Sequence, residues 1–193
     1  ASSRRTCSAS SQVAPTEIML NSALSVCEKG GFWSRALSLL QEFHNHDLVL
    51  DAVAVTNAAA ACARAGEEAS ASATLLKLAE LELMPDTASF GRMLNACKSG
   101  LTWSLSLDIL QNMLQTTVSP DSINYNMSIA ACGQTARWQW CLQLFDDMFP
   151  NLITCNEVVQ ALFSVGEVAK ALALYREIVF TGVCSPWHTE EVG

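Results

Sequence analysis

The chain has no apolar run long enough to cross a bilayer: no window approaches eighteen consecutive apolar residues, the length at which a helical span becomes credible. It is also short of positive charge, with eleven Lys and Arg against nineteen Asp and Glu and a net charge of -8. Nucleic-acid affinity comes largely from phosphate neutralisation by basic side chains, so any such site would have to be a local feature. Glycine (nine) and proline (five) are sparse and sit mostly at breaks, and strand-like alternation is scarce, which points to an all-α chain. Phosphate-cradling glycine loops and nucleophile motifs are missing, as is any C-x2-C pair of the kind zinc sites use. His44 and His46 lack a third ligand, and the consecutive Asp146 and Asp147 leave a helix in different directions. The expectation is a non-enzyme with no catalytic residue, cofactor or metal.

What the chain does have is a period. Cys27, Cys62, Cys97 and Cys132 follow one another at thirty-five residues. Nine residues after each comes a small side chain (Ala36, Ala71, Ser106, Cys141), thirteen after a large apolar one (Leu40, Leu75, Leu110, Phe145), and sixteen after another (Phe43, Leu78, Met113, Met148). Offsets of four and seven mark the buried stripe of a helix. A second apolar segment leads up to each cysteine, so every period holds two helices, broken at Gly30-Gly31, Gly66, Gly100 and Gly133 to Ala136. Half of the residues are hydrophobic, enough to bury a continuous core. A fixed period of this size is the mark of a stacked array.

In chain order, residues 1–16 form a leader. Its first thirteen are rich in serine, with Arg4 and Arg5 and no acidic residue, as in the remnant of an organellar transit peptide or an ordinary flexible leader. Five units are expected at 17–51, 52–86, 87–121, 122–151 and 152–186, followed by an acidic tail at 187–193. The second and third close on Pro85-Asp86 and Pro120-Asp121, where proline ends one helix and aspartate caps or turns into the next. The fourth is five residues shorter, with the loss placed after Met148. The fifth carries Leu162 where a cysteine would stand, and no further unit covers its last face.

Equivalent positions on successive packed helices lie about 8–10 Å apart, beyond the roughly 7 Å that a disulfide tolerates between Cα atoms. The four repeat cysteines, Cys27, Cys62, Cys97 and Cys132, are therefore expected to be small buried hydrophobes, and free thiols suit a reducing compartment. Cys7, Cys141, Cys155 and Cys184 show no partner in the sequence. Trp33, Trp103 and Trp138 share one position, six after the cysteine, and are expected to pack at the start of the second helix. Trp140 and Trp187 are off that register.

The thirty-five-residue period, the closing Pro-Asp, an Asn five residues into a unit and a glycine-containing break before an Ala-Leu helix together resemble the pentatricopeptide repeat. VCEKGGFWSRALSLLQEF in the first unit is the nearest match, and the resemblance covers about 17–186. It implies a right-handed α-solenoid in a plastid stroma or mitochondrial matrix that binds single-stranded RNA one base per repeat. It also implies that the fifth and last residues of a repeat read the base: Asn21 with Asp51, Thr56 with Asp86, Gly91 with Asp121, Asn126 with Asn151, and Asn156 opening an incomplete fifth pair. The implied preference is U, G, unspecified, C. Lys29 and Arg64 stand where the resemblance places contacts to the RNA backbone, a position filled by Ser99, Gln134 and Ser164 in later units.

The same Asn, Thr and Asp residues are also ordinary capping residues, and the acidity of the chain counts against RNA. The sequence therefore favours a scaffold that docks other protein subunits of an organellar complex, with single-stranded RNA binding as the alternative.

Overall fold

The computed structural model describes residues 17–45, 50–116, 118–148 and 151–181. The leader 1–16 and the tail 187–193 lie outside these, as do His46, Cys7, Cys184 and Trp187. The described residues form helices only, as five hairpins. In order these are α1 (Glu17–Gly30) with α2 (Trp33–Asn45), α3 (Ala52–Arg64) with α4 (Glu68–Glu80), α5 (Thr87–Gly100) with α6 (Trp103–Gln115), α7 (Ser122–Gln134) with α8 (Trp138–Asp146), and α9 (Leu152–Val165) with α10 (Val168–Thr181). The first helix of each hairpin packs on the first helix of the next, from α1 through α3, α5 and α7 to α9. These five make an inner layer, against which α2, α4, α6, α8 and α10 lie as an outer one.

One hydrogen bond sets every hairpin. The residue five beyond the repeat cysteine donates its backbone N–H to the cysteine carbonyl: Phe32 to Cys27 (2.9 Å), Glu67 to Cys62 (3.0 Å), Thr102 to Cys97 (3.1 Å) and Arg137 to Cys132 (2.9 Å). Glu167 does the same to Leu162 (3.0 Å) in the fifth hairpin. This is the helix stop in which the residue before the donor takes the left-handed conformation. That residue is Gly31, Gly66 and Gly166 in three hairpins but Leu101 and Ala136 in the other two. The expected break at Gly100 is thus corrected by one residue: Gly100 ends α5, and Leu101 turns the chain. Gly100 serves close approach instead, because a Cβ there would penetrate the Ala63 carbonyl oxygen and lie 2.8 Å from the Ala63 carbonyl carbon.

The buried stripe falls where the period placed it. Cys27, Cys62, Cys97 and Cys132 are buried, as are Ala36, Ala71, Ser106 and Cys141 beneath them. The thiol of Cys97 is pushed up to about 12 and that of Cys62 to about 11, each chiefly by burial. These four and Cys141 are free thiols. Cys155, for which the sequence offered no partner, is disulfide-bonded, which corrects that reading. The middle of the array is α3, whose residues Ala54 to Ala63 are all buried. Its alanine run lets α1 and α5 close on it from both sides. Trp33, Trp103 and Trp138 each open an outer helix and pack against the core.

The shortening of the fourth unit is taken out of α8 itself, not out of the turn after Met148. α8 has 9 residues where α2, α4 and α6 have 13. Pro150 forbids helical backbone at the residue before it and supplies no N–H, so the outer helix ends early.

Candidate nucleic-acid interface

The closing residue of each unit is the N-cap of the next inner helix. Asp51 accepts from the Ala54 N–H (2.7 Å), Asp86 from Ser89 (2.8 Å), Asp121 from Asn124 (2.8 Å) and Asn151 from Thr154 (3.0 Å). A cap of this kind is worth about 1 kcal/mol. Each engages one side-chain oxygen and leaves the other polar atom of the carboxylate or amide for a second task. Asp86 is exposed, and the Ser89 hydroxyl and N–H, with some help from Arg92, hold its carboxyl below the usual range.

The second task is visible in the first unit. Asn21 donates from Nδ2 to Asp51 Oδ2 at 2.9 Å, across thirty residues of sequence, while Asn21 Oδ1 is buried without a partner. In the fourth unit Asn126 and Asn151 are joined through Thr154, whose hydroxyl lies 2.5 Å from Asn126 Oδ1 and 3.1 Å from Asn151 Oδ1. The fold therefore brings the fifth and last residues together in these two units. It treats the others differently. Thr56 is buried and gives its hydroxyl to the Val53 carbonyl (3.0 Å). Gly91 faces Asn124 across an ordinary contact distance. Asn156 is exposed beside a shallow apolar recess formed with Leu152, Ile153, Val159, Tyr175 and Ile178.

Of the two basic residues, Lys29 is exposed, whereas Arg64 is tied to Glu28 by an ion pair of 2.9 Å between adjacent units. Charge is distributed unevenly between the layers. The inner helices carry Lys29, Arg64, Arg92 and Lys98 against Glu17, Glu28 and Glu157, while the outer helices hold Glu42, Glu68, Glu80, Asp108, Asp146 and Glu177 against Arg35, Lys77, Lys170 and Arg176. The acidity of the chain is thus carried by caps, turns, tail and outer layer more than by the inner face.

Two features escaped the sequence reading. The second residue of each unit, Ile18, Val53, Ala88, Ile123 and Ile153, is apolar at the start of an inner helix. Ile18, Ile123 and Ile153 are 78%, 58% and 64% exposed, which a core-facing residue would not be. Their spacing matches that of the units and could have revealed them. Second, Asn21 Oδ1, Arg64 Nε, Arg92 Nε and Asn124 Nδ2, one atom on each of α1, α3, α5 and α7, are buried with no hydrogen-bond partner among the described residues. Such atoms cost about 1–3 kcal/mol apiece and call for an explanation. Among the described residues no group of His, Cys, Asp or Glu could hold a metal ion, and no helix is long and apolar enough to cross a membrane.

Comparison with known proteins places this geometry. The family model described as PPR repeat matches residues 18–48. The crystal structure of the pentatricopeptide repeat protein PPR10 from maize superposes with a TM-score of 0.75 at 28% identity, over 89% of this chain and 25% of that one. The same protein in complex with an 18-nt psaJ RNA element matches at TM-score 0.50 and 16% identity, over 89% of this chain and 31% of that one. The PPR domain of Arabidopsis thaliana protein-only RNase P 1, in complex with tRNA, matches at TM-score 0.63 and 13% identity, over 86% and 90% of the two chains. Among curated proteins no sequence matches. The chain spans about a quarter of the length of the maize protein. With its first unit matched by the family model and its five hairpins superposing on the maize repeat protein, this chain is a member of the pentatricopeptide repeat family.

Proposed function

We propose that the inner face binds single-stranded RNA, one base per unit, as part of organellar RNA processing, stability or translation. The observation that carries this reading is the pairing of Asn21 with Asp51 at 2.9 Å. It sets an amide and a carboxylate side by side next to an exposed Ile18, where a base could meet an apolar contact on its face and polar atoms on its edge. The Asn126, Thr154 and Asn151 cluster is the counterpart at the fourth unit. The weakly basic inner layer and its row of unpartnered polar atoms support the same reading, and the two RNA-bound structures similar in fold are consistent with it. RNA thus moves ahead of the protein-docking reading that the overall charge favoured.

The test is fluorescence anisotropy with single-stranded RNA carrying the run U-G-N-C. The reading expects a dissociation constant at or below about 1 μM at physiological salt, tighter than ordinary non-specific binding. It also expects weakening of about tenfold on Asn21→Ala, the scale of one buried hydrogen bond. Equal affinity for Asn21→Ala and the parent chain would refute it.

A second reading, a scaffold for protein subunits, is favoured by the final hairpin. There Leu152, Ile153, Leu172, Tyr175 and Val179 are exposed together, more apolar surface than an array end carries without a cap or partner. Co-purification of a protein partner that survives nuclease treatment and is lost on Tyr175→Glu would support it.

A further inference from the structure

The third unit is the one that the paired-residue scheme leaves blank, because Gly91 has no side chain to offer a base. The structure fills the gap from the next helix. At every junction the third residue of the following inner helix is the one whose backbone N–H is held by the cap: Ala54, Ser89, Asn124 and Thr154. That shared bond fixes the direction of its Cβ, and all four residues are buried. The fourth junction shows where such a side chain points, since the Thr154 hydroxyl reaches Asn126 Oδ1, the fifth residue of the preceding unit, at 2.5 Å.

At the third junction the same register holds an amide. Asn124 is 2% exposed, and its Oδ1 is the one atom that a Cβ added to Gly91 would meet, at 3.6 Å. Its Nδ2 is buried without a partner. The backbone of Asn124 is already satisfied by Asp121 at 2.8 Å, so the side chain is not needed for the cap. An amide therefore lies over the position that Gly91 vacates, with an unspent donor, beside a carboxylate that retains one free oxygen.

Resting on the RNA-binding reading above, we propose that Asn124 replaces the missing fifth side chain of unit three. It would contact a base through an edge that offers an acceptor to Nδ2 next to a donor for Asp121. Unit three then discriminates between bases, with Asn124 and Asp121 as its pair.

The experiment uses the whole chain and four single-stranded RNAs, U-G-N-C flanked by adenosines, with N as A, C, G or U. The parent chain should separate the best from the worst base at N by about tenfold, the equivalent of one hydrogen bond to a buried donor. Asn124→Ala should bring the four within about twofold while leaving the preference at the U and C positions intact. Alanine stands at the same register as Ala54, so the variant retains a side chain the array already accommodates; Asn124→Ser, matching Ser89, is the second choice if folding is impaired. Adding Gly91→Asn to Asn124→Ala should restore discrimination, because the amide returns at the ordinary register. Undiminished discrimination in Asn124→Ala, or equal binding of all four RNAs by the parent chain, overturns the proposal alone. Failure of the parent chain to bind any of the four removes the RNA reading and this inference with it.

Discussion

Replacing Gly100 with alanine should do more damage than replacing any turn glycine, although Gly100 sits in a helix and its backbone is ordinary. A Cβ at Gly100 would overlap the Ala63 carbonyl oxygen and stand 2.8 Å and 3.0 Å from the carbonyl carbons of Ala63 and Arg64. All three are backbone atoms of α3, so no rotamer change relieves the clash; the C-terminal ends of α3 and α5 must separate. Overpacking of this kind costs about 1–3 kcal/mol and sometimes more, and the obstruction here is backbone, which puts the cost at the upper end. The better helix propensity of alanine returns at most about 1 kcal/mol. The net loss is about 2 kcal/mol, which at a urea slope of about 2 kcal/mol/M lowers the midpoint by about 1 M. Gly166→Ala is the contrast: it meets nothing within 4 Å but sits at φ +87°, so it should cost about 1–2 kcal/mol from backbone conformation alone. Urea unfolding followed by far-UV circular dichroism measures both, and hydrogen exchange should locate the Gly100→Ala loss in α3 and α5. A Gly100→Ala midpoint equal to that of the parent chain would refute the claim that the two inner helices touch backbone to backbone there.

Other perturbations follow from the same contacts. Because the folded state holds the Asp86 carboxyl below its ordinary 3.8, its contribution is present above that pH and is lost as pH falls through the lowered value; Asp86→Asn, which keeps the cap acceptor but does not titrate, should flatten the acid limb of a stability-versus-pH curve. The Cys62 and Cys97 thiols, raised to about 11 and 12, should resist iodoacetamide at pH 8 until the chain is unfolded, as read by mass spectrometry. Their stabilising effect should fade as pH climbs from 9, where unfolded thiols ionise, toward those values. Glu28→Gln should release Arg64 from its 2.9 Å ion pair, cost about 1 kcal/mol of stability after allowance for partial exposure, and steepen the salt dependence of RNA binding by about one counterion.

The parts of this fold that were legible in the sequence are those that repeat. The period located the buried cysteines and the small residues beneath them, and the Pro-Asp junctions located the caps, because both depend on contacts within a few residues of chain. What stayed hidden depends on neighbours one unit away. Gly100 looked like a turn glycine, and only the approach of Ala63 shows it to be a packing glycine with Leu101 making the turn. Arg64 looked like a free cation, yet Glu28, present in the first unit and replaced by Ala63 in the second, claims it. Thr56 matched the reading position by count, but the depth of α3 in the array buries its hydroxyl. Asn124 drew no notice, because its meaning comes from the empty place at Gly91 thirty-three residues earlier.

The central claim is that the inner helices form a face for single-stranded RNA. Titrating the chain into labelled U-G-N-C RNA at physiological salt, alongside the Asn21→Ala and Asn126→Ala variants, addresses it most directly. The account predicts binding at about 1 μM or tighter, with each variant weaker by about tenfold and losing preference at its own base, U for Asn21 and C for Asn126. Binding that is absent, or indifferent to both substitutions, would contradict it.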